Sequence, residues 1–337
     1  MEAAAGVAPI VHYREVAFMG IVSVVKNLGK LTRIGRQIQA AMRDFAPDVV
    51  IPVDYADFNF RFILPYAKKE LRCPVIYYIL PKLWAWRAGR IRQLRRYVDL
   101  GLSILPFETS YFSDRGLRTE YIGNPCVDAK LTYLAEHPEP VEREQMLLLV
   151  PGSRQSELRD NLPEMLAATA AYYQLGWRVV IAGAPGLTAA DYAPHLGKYS
   201  DTPILFGDTY GLMRRAYAAL VTSGTATLEA GLWGIPMVVC YRMGGRRIAR
   251  LAFERLFRVP YFSLVNLILD RPAVPELLAD RAHSVQILSI LSRLIPEEDH
   301  RRTDQLQAFT QLQELMGTEP SAPRAARAIL SYLHEAR

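Results

Sequence analysis

Short apolar runs recur along this chain, each closed by turn residues and followed by a stretch with helical spacing. They lie at 49–53, 74–80, 100–105, 119–122, 146–150, 178–182, 203–206, 219–222 and 237–240. Helical patterns fall at 24–45, where Leu31, Ile34, Ile38 and Met42 share a face, at 87–97, from 156 onward, at 210–217 and at 225–233. Runs this short and this apolar read as buried strands. Their alternation with helices predicts an α/β chain with parallel sheets and right-handed crossovers. Beyond Gly245 the pattern is mostly helical.

A chain of 337 residues exceeds one ordinary core and suits two Rossmann-like domains. The charged, proline-bearing stretch HPEPVERE at 137–144 reads as the linker. The expected organisation is a first domain at 1–140, a second at 141–300, and C-terminal helices at 301–337 that can pack back on the first.

Charge and cysteine use narrow the chemistry. A net charge of +6 suits a partner carrying phosphate or an anionic membrane surface, although a generic basic surface explains it equally well. Cys73, Cys126 and Cys240 are far apart with no CxxC, and no histidines cluster. A disulfide framework and a zinc site are therefore not expected, and a reducing cytosol is the natural compartment. No apolar run reaches the length of a membrane-spanning helix, so a soluble or peripheral protein is expected.

Three segments sit where parallel sheets bind ligands, at the carboxyl ends of strands. The first is Val150-Pro-Gly-Ser-Arg154. There Gly152 allows a close turn, Ser153 can donate to an oxygen and Arg154 can clamp a phosphate. Such turns also occur without any ligand. The second is Thr222-Ser-Gly-Thr-Ala-Thr-Leu-Glu229. Free N–H groups at the helix start, with the Ser223 and Thr225 hydroxyls beside Gly224, suit a diphosphate. Glu229, one turn further on, can accept ribose hydroxyls, or it is a surface glutamate on a capped helix. The segment lacks GxxxxGK[ST] and GxGxxG, which speaks against ATPase and dehydrogenase readings. The third is Val53-Asp-Tyr-Ala-Asp-Phe-Asn59. Asp54 at a strand end is placed as a general base facing an interdomain cleft, whereas Asp57 reads as a helix cap. No DxD pair offers a metal site, so dipoles and arginines must neutralise any nucleotide, and no cofactor is expected.

Together these segments resemble the lipid-A-disaccharide synthase family of GT-B-type glycosyltransferases, glycosyltransferase family 19. The resemblance rests on Met19-Gly20-Ile21, VDYADFN (53–59), YYILPKLWAWR (77–87), ILPFE (104–108), YIGNP (121–125), PGSRQSE (151–157), SGTATLE (223–229), PMVVCYRM (236–243) and YFSLVNLI (261–268). They follow the family's order over most of the chain. The combination of LWAWR with ILPFE is the most specific.

The resemblance implies a GT-B-like pair of Rossmann-like domains facing a cleft. It implies inverting transfer of diacylglucosamine from UDP-diacylglucosamine to diacylglucosamine 1-phosphate, giving a β-linked disaccharide and UDP. By motif, Asp54 matches the proposed acid/base, Asn266 the active-site asparagine of SLxNL, and Arg154 the PGSR arginine. Ser223, Gly224, Thr225 and Glu229 match the UDP-binding turn, and Arg242 and Glu276 fall in family-like segments. The implied partners are the two acylated sugars and the anionic surface of the inner membrane on its cytoplasmic face. No nucleic acid is implied, and a homodimer is compatible.

The chain departs from the family in places. Gln155 and Ser156 replace the commoner GA of PGSRGAE, and Val265 replaces the proline of SLPNL. The family's opening strand and GExSGD loop precede the residues matching His12–Glu15, which leads to the expectation of an incomplete N-terminal domain and a poorly active form. Val22, Val24, Val25 and Leu28 beside Lys26, Lys30 and Arg33 suit an anionic leaflet, or equally a core-facing helix. Trp84 and Trp86 fit acyl contacts and core packing alike. The rival readings are another UDP-GlcNAc-using GT-B enzyme and a non-catalytic homologue that binds UDP or membrane.

Overall fold

The computed structural model describes Gly6 and residues 9–11, 28–242 and 259–335. The Met19-Gly20-Ile21 motif, the His12–Glu15 stretch and the stripe of Val22, Val24, Val25 and Lys26 lie outside the described residues. The chain divides into two compact units. One takes residues up to Ile122 together with Ala325 onward, and the other takes Gly123–Arg324. Residues 137–144 belong to the second unit.

In the first unit, helix α1 (Leu28–Phe45) buries Leu31 and Ile34 and packs Ile38 and Met42 against the same cluster, as the spacing predicts. Gly35 lets it approach a second helical run, α2, at 56–71; a Cβ there would stand 2.5 Å from the Phe62 ring. Run α2 alternates α-helical pitch with two π segments, Asn59–Ile63 and Ala67–Leu71. Pro65 lies within it, and its missing N–H removes one bond that regular α pitch would need.

The sheet of this unit runs β1 (Ile76–Tyr78), β2 (Leu100–Ser103), β3 (Thr119–Tyr121), all parallel and in that spatial order. Helix α3 (Ile91–Tyr97) connects β1 to β2, and α4 (Pro106–Ser113) connects β2 to β3. The run at 49–53 joins β1 through two parallel bridges, Val50 to Val75 and Val53 to Tyr78. It forms no continuous ladder, because Pro52 between the bridges has no N–H to donate. The run predicted at 74–80 shortens to β1 because Ile79 leaves it in the left-handed region at φ 62°.

The second unit opens with α5 (Pro125–Glu136) and continues β4 (Met146–Val150), α6 (Gln155–Gln174), β5 (Arg178–Gly183), α7 (Ala189–Leu196), β6 (Ile204–Phe206) and α8 (Thr209–Arg215). Then come β7 (Ala218–Thr222), α9 (Thr225–Leu232), β8 (Met237–Tyr241), α10 (Leu264–Leu269), β9 (Glu276–Leu278), α11 (Ser284–Leu291), α12 (His300–Met316) and α13 (Ser321–Glu335). Strand β9 interrupts the stretch beyond Gly245 that the sequence marks as helical; three residues are too few to show a strand period.

All six strands are parallel in the order β6-β5-β4-β7-β8-β9. Numbered within the unit, this is the doubly wound 3-2-1-4-5-6 arrangement, whose order reverses between β4 and β7. Strands β4 and β7 are wholly buried, which explains their unbroken apolar sequence. On one face Leu147, Leu149, Leu220 and Val238 pack with Leu158, Leu162 and Met165 of α6 and Ile287 and Leu291 of α11. Helix α9 packs on α10 and α12, and a Cβ on Gly231 would stand 2.8 Å from Leu312. Arg143 donates to the Ala216, Trp233 and Gly234 carbonyls, closing the ends of α8 and α9. From Ala325 onward α13 belongs to the first unit, where Ala325 and Ala328 cover Ile76, Leu100 and Leu102.

Candidate active site

The switch point of the second unit is flanked by the carboxyl ends of β4 and β7. At the β4 end Gly152 turns at φ 111°, and a Cβ there would stand 2.4 Å from Glu157 Oε2. Glycine is required both by conformation and by space. The Ser153 amide donates to Glu157 Oε2 at 2.9 Å, and Arg154 Nη1 to Glu157 Oε1 at 2.7 Å. The anion at the start of α6 is thus the protein's own carboxylate. A polar cavity of about 260 Å³ opens beside it, lined by Arg154, Glu157, Asp160, Tyr241 and Arg242 among others.

The β7 end differs. Gly224 turns at φ 151° with nothing within 4 Å of where a Cβ would stand. Helix α9 begins directly after it with no side-chain cap and no acidic residue in its first turn. Its leading amide groups are therefore available to an external anion, and the helix dipole favours one. The Thr227 hydroxyl donates back to the Gly224 carbonyl at 2.8 Å and fixes the turn. The Ser223 hydroxyl donates to the Phe262 carbonyl at 2.8 Å, so its proton faces the protein. Thr222 Oγ1 is buried without a hydrogen-bond partner among the described residues. One turn into α9, Glu229 Oε1 accepts from the Tyr210 hydroxyl at 2.7 Å.

Phe262 links the turn to the other expected residues. Glu276 accepts from the Phe262 and Ser263 amides at 3.1 and 2.8 Å. Asn266, 1 % exposed, receives the Val274 amide at 2.8 Å and donates to the Val274 carbonyl at 2.9 Å. Glu276, Asn266 and Ser223 therefore converge on one folded loop. Arg242 lies further along the strand ends: its amide donates to Asn161, and its guanidinium pairs with Glu164, which also accepts the Ser284 amide at 2.7 Å.

Asp54 belongs to the first unit, at the carboxyl end of the 49–53 run, with an exposed side chain. Asp54 and Tyr55 both adopt left-handed backbone, at φ 43° and 37°. That conformation is held through the Asp54 carbonyl, which accepts the Tyr77 hydroxyl at 2.6 Å and Asn59 Nδ2 at 2.6 Å. Asp57, read as a cap, lies in the first turn of α2 and pairs with Arg87 at 2.9 Å and Arg90 at 2.5 Å. Trp86 stacks under Arg87, 4.1 Å from ring centroid to guanidinium carbon. Trp84 is half-buried, its indole bonded to Glu108 and its ring edge-on to Phe107.

Glu157, Tyr210, Asn59 and Tyr77 carry no individual signal in the sequence. Three of them lie inside the quoted motifs; Tyr210 lies outside every one, and only its packing reveals it.

Solved structures share this architecture, among them two UDP-GlcNAc 2-epimerases. A putative UDP-N-acetylglucosamine 2-epimerase from Listeria monocytogenes has a TM-score of 0.61 at 15 % identity, covering 91 % of this chain and 80 % of that one. The UDP-GlcNAc 2-epimerase from Neisseria meningitidis, bound to UDP-GlcNAc, has a TM-score of 0.57 at 14 % identity, covering 94 % and 84 %. The fold is that of GT-B glycosyltransferases and epimerases, and the family match over residues 1–329 makes the class here glycosyltransferase. A family model described as Lipid-A-disaccharide synthetase matches residues 1–329. The lipid-A-disaccharide synthase of Myxococcus xanthus (strain DK1622) is 35 % identical over 99 % of this chain and 88 % of its own length. That of Acidobacterium capsulatum is 32 % identical over 98 % and 86 %. The chain belongs to the lipid-A-disaccharide synthetase family. Among the described residues no helix is long and apolar enough to cross a membrane, and no cluster of His, Cys, Asp or Glu could hold a metal ion.

Proposed function

We propose that this chain is an inverting glycosyltransferase that joins two acylated glucosamines. It moves 2,3-diacylglucosamine from its UDP carrier to the 6-hydroxyl of 2,3-diacylglucosamine 1-phosphate, forming a β-1′,6-linked disaccharide and UDP. The observation that carries this reading is the family match over residues 1–329, which takes in Asp54 and the switch-point turn alike.

In this reading Asp54 takes the proton of the attacking hydroxyl. The new C–O bond forms on the face of the anomeric carbon opposite UDP, and the bond to the diphosphate oxygen breaks with its electron pair. The negative charge left on UDP falls to the uncapped start of α9, at Gly224 and Thr225, where fixed dipoles need no reorganisation. Arg154, half-exposed beside the cavity, and Arg242 add positive charge. Glu229 receives the ribose hydroxyls. Glu276 and Asn266 act by holding the loop whose Phe262 carbonyl fixes Ser223, a role that their hydrogen bonds support.

Both substrates carry acyl chains, so the protein works at an anionic membrane surface, on the cytoplasmic face of the inner membrane. The homodimer goes with the same reading and is measured by sedimentation. The purified chain, given the two acylated sugars, is expected to yield disaccharide and UDP by mass spectrometry and to ignore plain UDP-N-acetylglucosamine. No product from the acylated pair, or equal use of the plain sugar, overturns the proposal.

A further inference from the structure

Tyr210 is in none of the segments that carry the resemblance, yet it holds the carboxylate proposed to meet ribose. It lies in the first turn of α8, immediately after β6, and its hydroxyl donates to Glu229 Oε1 at 2.7 Å. The ring has little freedom. Tyr133 stands edge-on to it at 5.8 Å between centroids, and Trp233 packs against it at 5.7 Å. Tyr133 is itself tied to Asp208, the N-cap of α8, at 3.1 Å. Burial and the neighbouring Glu229 carboxylate push the Tyr210 phenol above its ordinary pKa, so it remains a donor at neutral pH.

A glutamate one turn into a helix normally swings among several rotamers. Here one oxygen is pinned by a rigid aromatic donor, and the other has no partner among the described residues. We infer that Tyr210 is a specificity-determining residue: by fixing Glu229 Oε1 it aims the carboxylate at the cis-diol of a nucleoside diphosphate and makes the site demand ribose. The inference rests on the proposed contact between Glu229 and ribose. A hydroxyl that acts on ribose only through Glu229 has no reason to affect a ligand that lacks the diol. It should therefore act on one ligand and spare the other.

Calorimetry with UDP and 2′,3′-dideoxyUDP separates the possibilities. The unaltered chain is expected to bind UDP at least about tenfold more tightly than the dideoxy nucleotide, as the loss of a charge-assisted hydrogen bond implies. Tyr210→Phe, which removes only the hydroxyl, should shrink that ratio to about threefold or less while leaving dideoxy affinity within about twofold. Installed on Glu229→Ala, which removes the acceptor, the same change should no longer alter the ratio. If the unaltered chain fails to discriminate, the Glu229–ribose contact itself falls. If it discriminates and Tyr210→Phe discriminates equally, or both ligands weaken together, the contact stands and the role of Tyr210 is overturned.

Discussion

The Trp84 indole N–H donates to Glu108 Oε1 at 2.9 Å, joining the LWAWR loop after β1 to the helix start after β2. Those two segments are the most specific marks of the family in the sequence, and the structure shows them as two halves of one contact. Glu108 is 1 % exposed, and its other oxygen accepts the Leu105 amide at 3.3 Å. The carboxyl thus closes the first turn of α4 while bracing the tryptophan above it.

Burial raises the Glu108 pKa from 4.5 to about 7, against the opposing pull of its Trp84 and backbone donors. A carboxyl whose folded pKa lies above its unfolded value binds more protons when folded. Its stabilising contribution is complete below pH 4.5 and is lost as pH rises through 7. The loss by pH 8 is about 3 kcal/mol. Urea unfolding across this range should show stability falling with pH more steeply in the parent than in Glu108→Gln. Parallel slopes would mean that Glu108 titrates normally.

Asp54→Asn should lower transfer by about 10²–10⁴-fold while UDP affinity stays within about twofold. Asp54 lies in the first unit and the switch-point turn in the second, so nucleotide binding is a separate readout. Initial rates and calorimetry on the same preparation test this. Activity within a few-fold of the parent removes Asp54 from the chemistry.

The Asp54 backbone gives a sharper test. Left-handed conformation at two successive non-glycine residues costs roughly 1–3 kcal/mol each, and it persists only where the surroundings enforce it. Tyr77 and Asn59 enforce it through the Asp54 carbonyl. Tyr77→Phe should lower kcat about tenfold, and with Asn59→Ala about 10²-fold, because small misplacements of a reacting group are costly. KM for the UDP-sugar should hold within about twofold. Equal damage to kcat and KM would reduce these bonds to scaffolding.

How far the sequence could be read follows from what each feature depends on. Strands β4, β5, β7 and β8 are buried on both faces, so composition alone marks them. The 49–53 run is marked by its apolar sequence but reduces to two bridges, whereas β9 is short and depends on its neighbour β8, which no local pattern names. Gly152 and Gly224 announce turns, and both turns do flank the switch point. What occupies those turns is a matter of side-chain rotamers. Nothing in PGSRQSE says that Glu157 folds back on Ser153, or that the SGTATLE helix is left uncapped. Likewise Tyr210 reaches Glu229 only because α8 and α9 are brought together by the sheet order.

Asn266 offers the clearest separation of holding from touching. Its amide matches both backbone groups of Val274, at 2.8 and 2.9 Å, and both residues are buried. Asn266→Ala would leave a buried N–H and a buried C=O without partners, at about 1–3 kcal/mol each. The affected loop carries Phe262 and Ser263, which Glu276 grips from the other side. Loosening it should therefore release Ser223 and weaken UDP binding as well as fold stability. The expected result is a drop in unfolding free energy of about 2–6 kcal/mol, accompanied by weaker UDP affinity. Asn266→Asp keeps the acceptor for the Val274 amide and loses the donor, so its effect should fall between the two. If Asn266→Ala abolishes transfer with stability and UDP affinity unchanged, the side chain leaves Val274 during turnover and acts on the substrate directly.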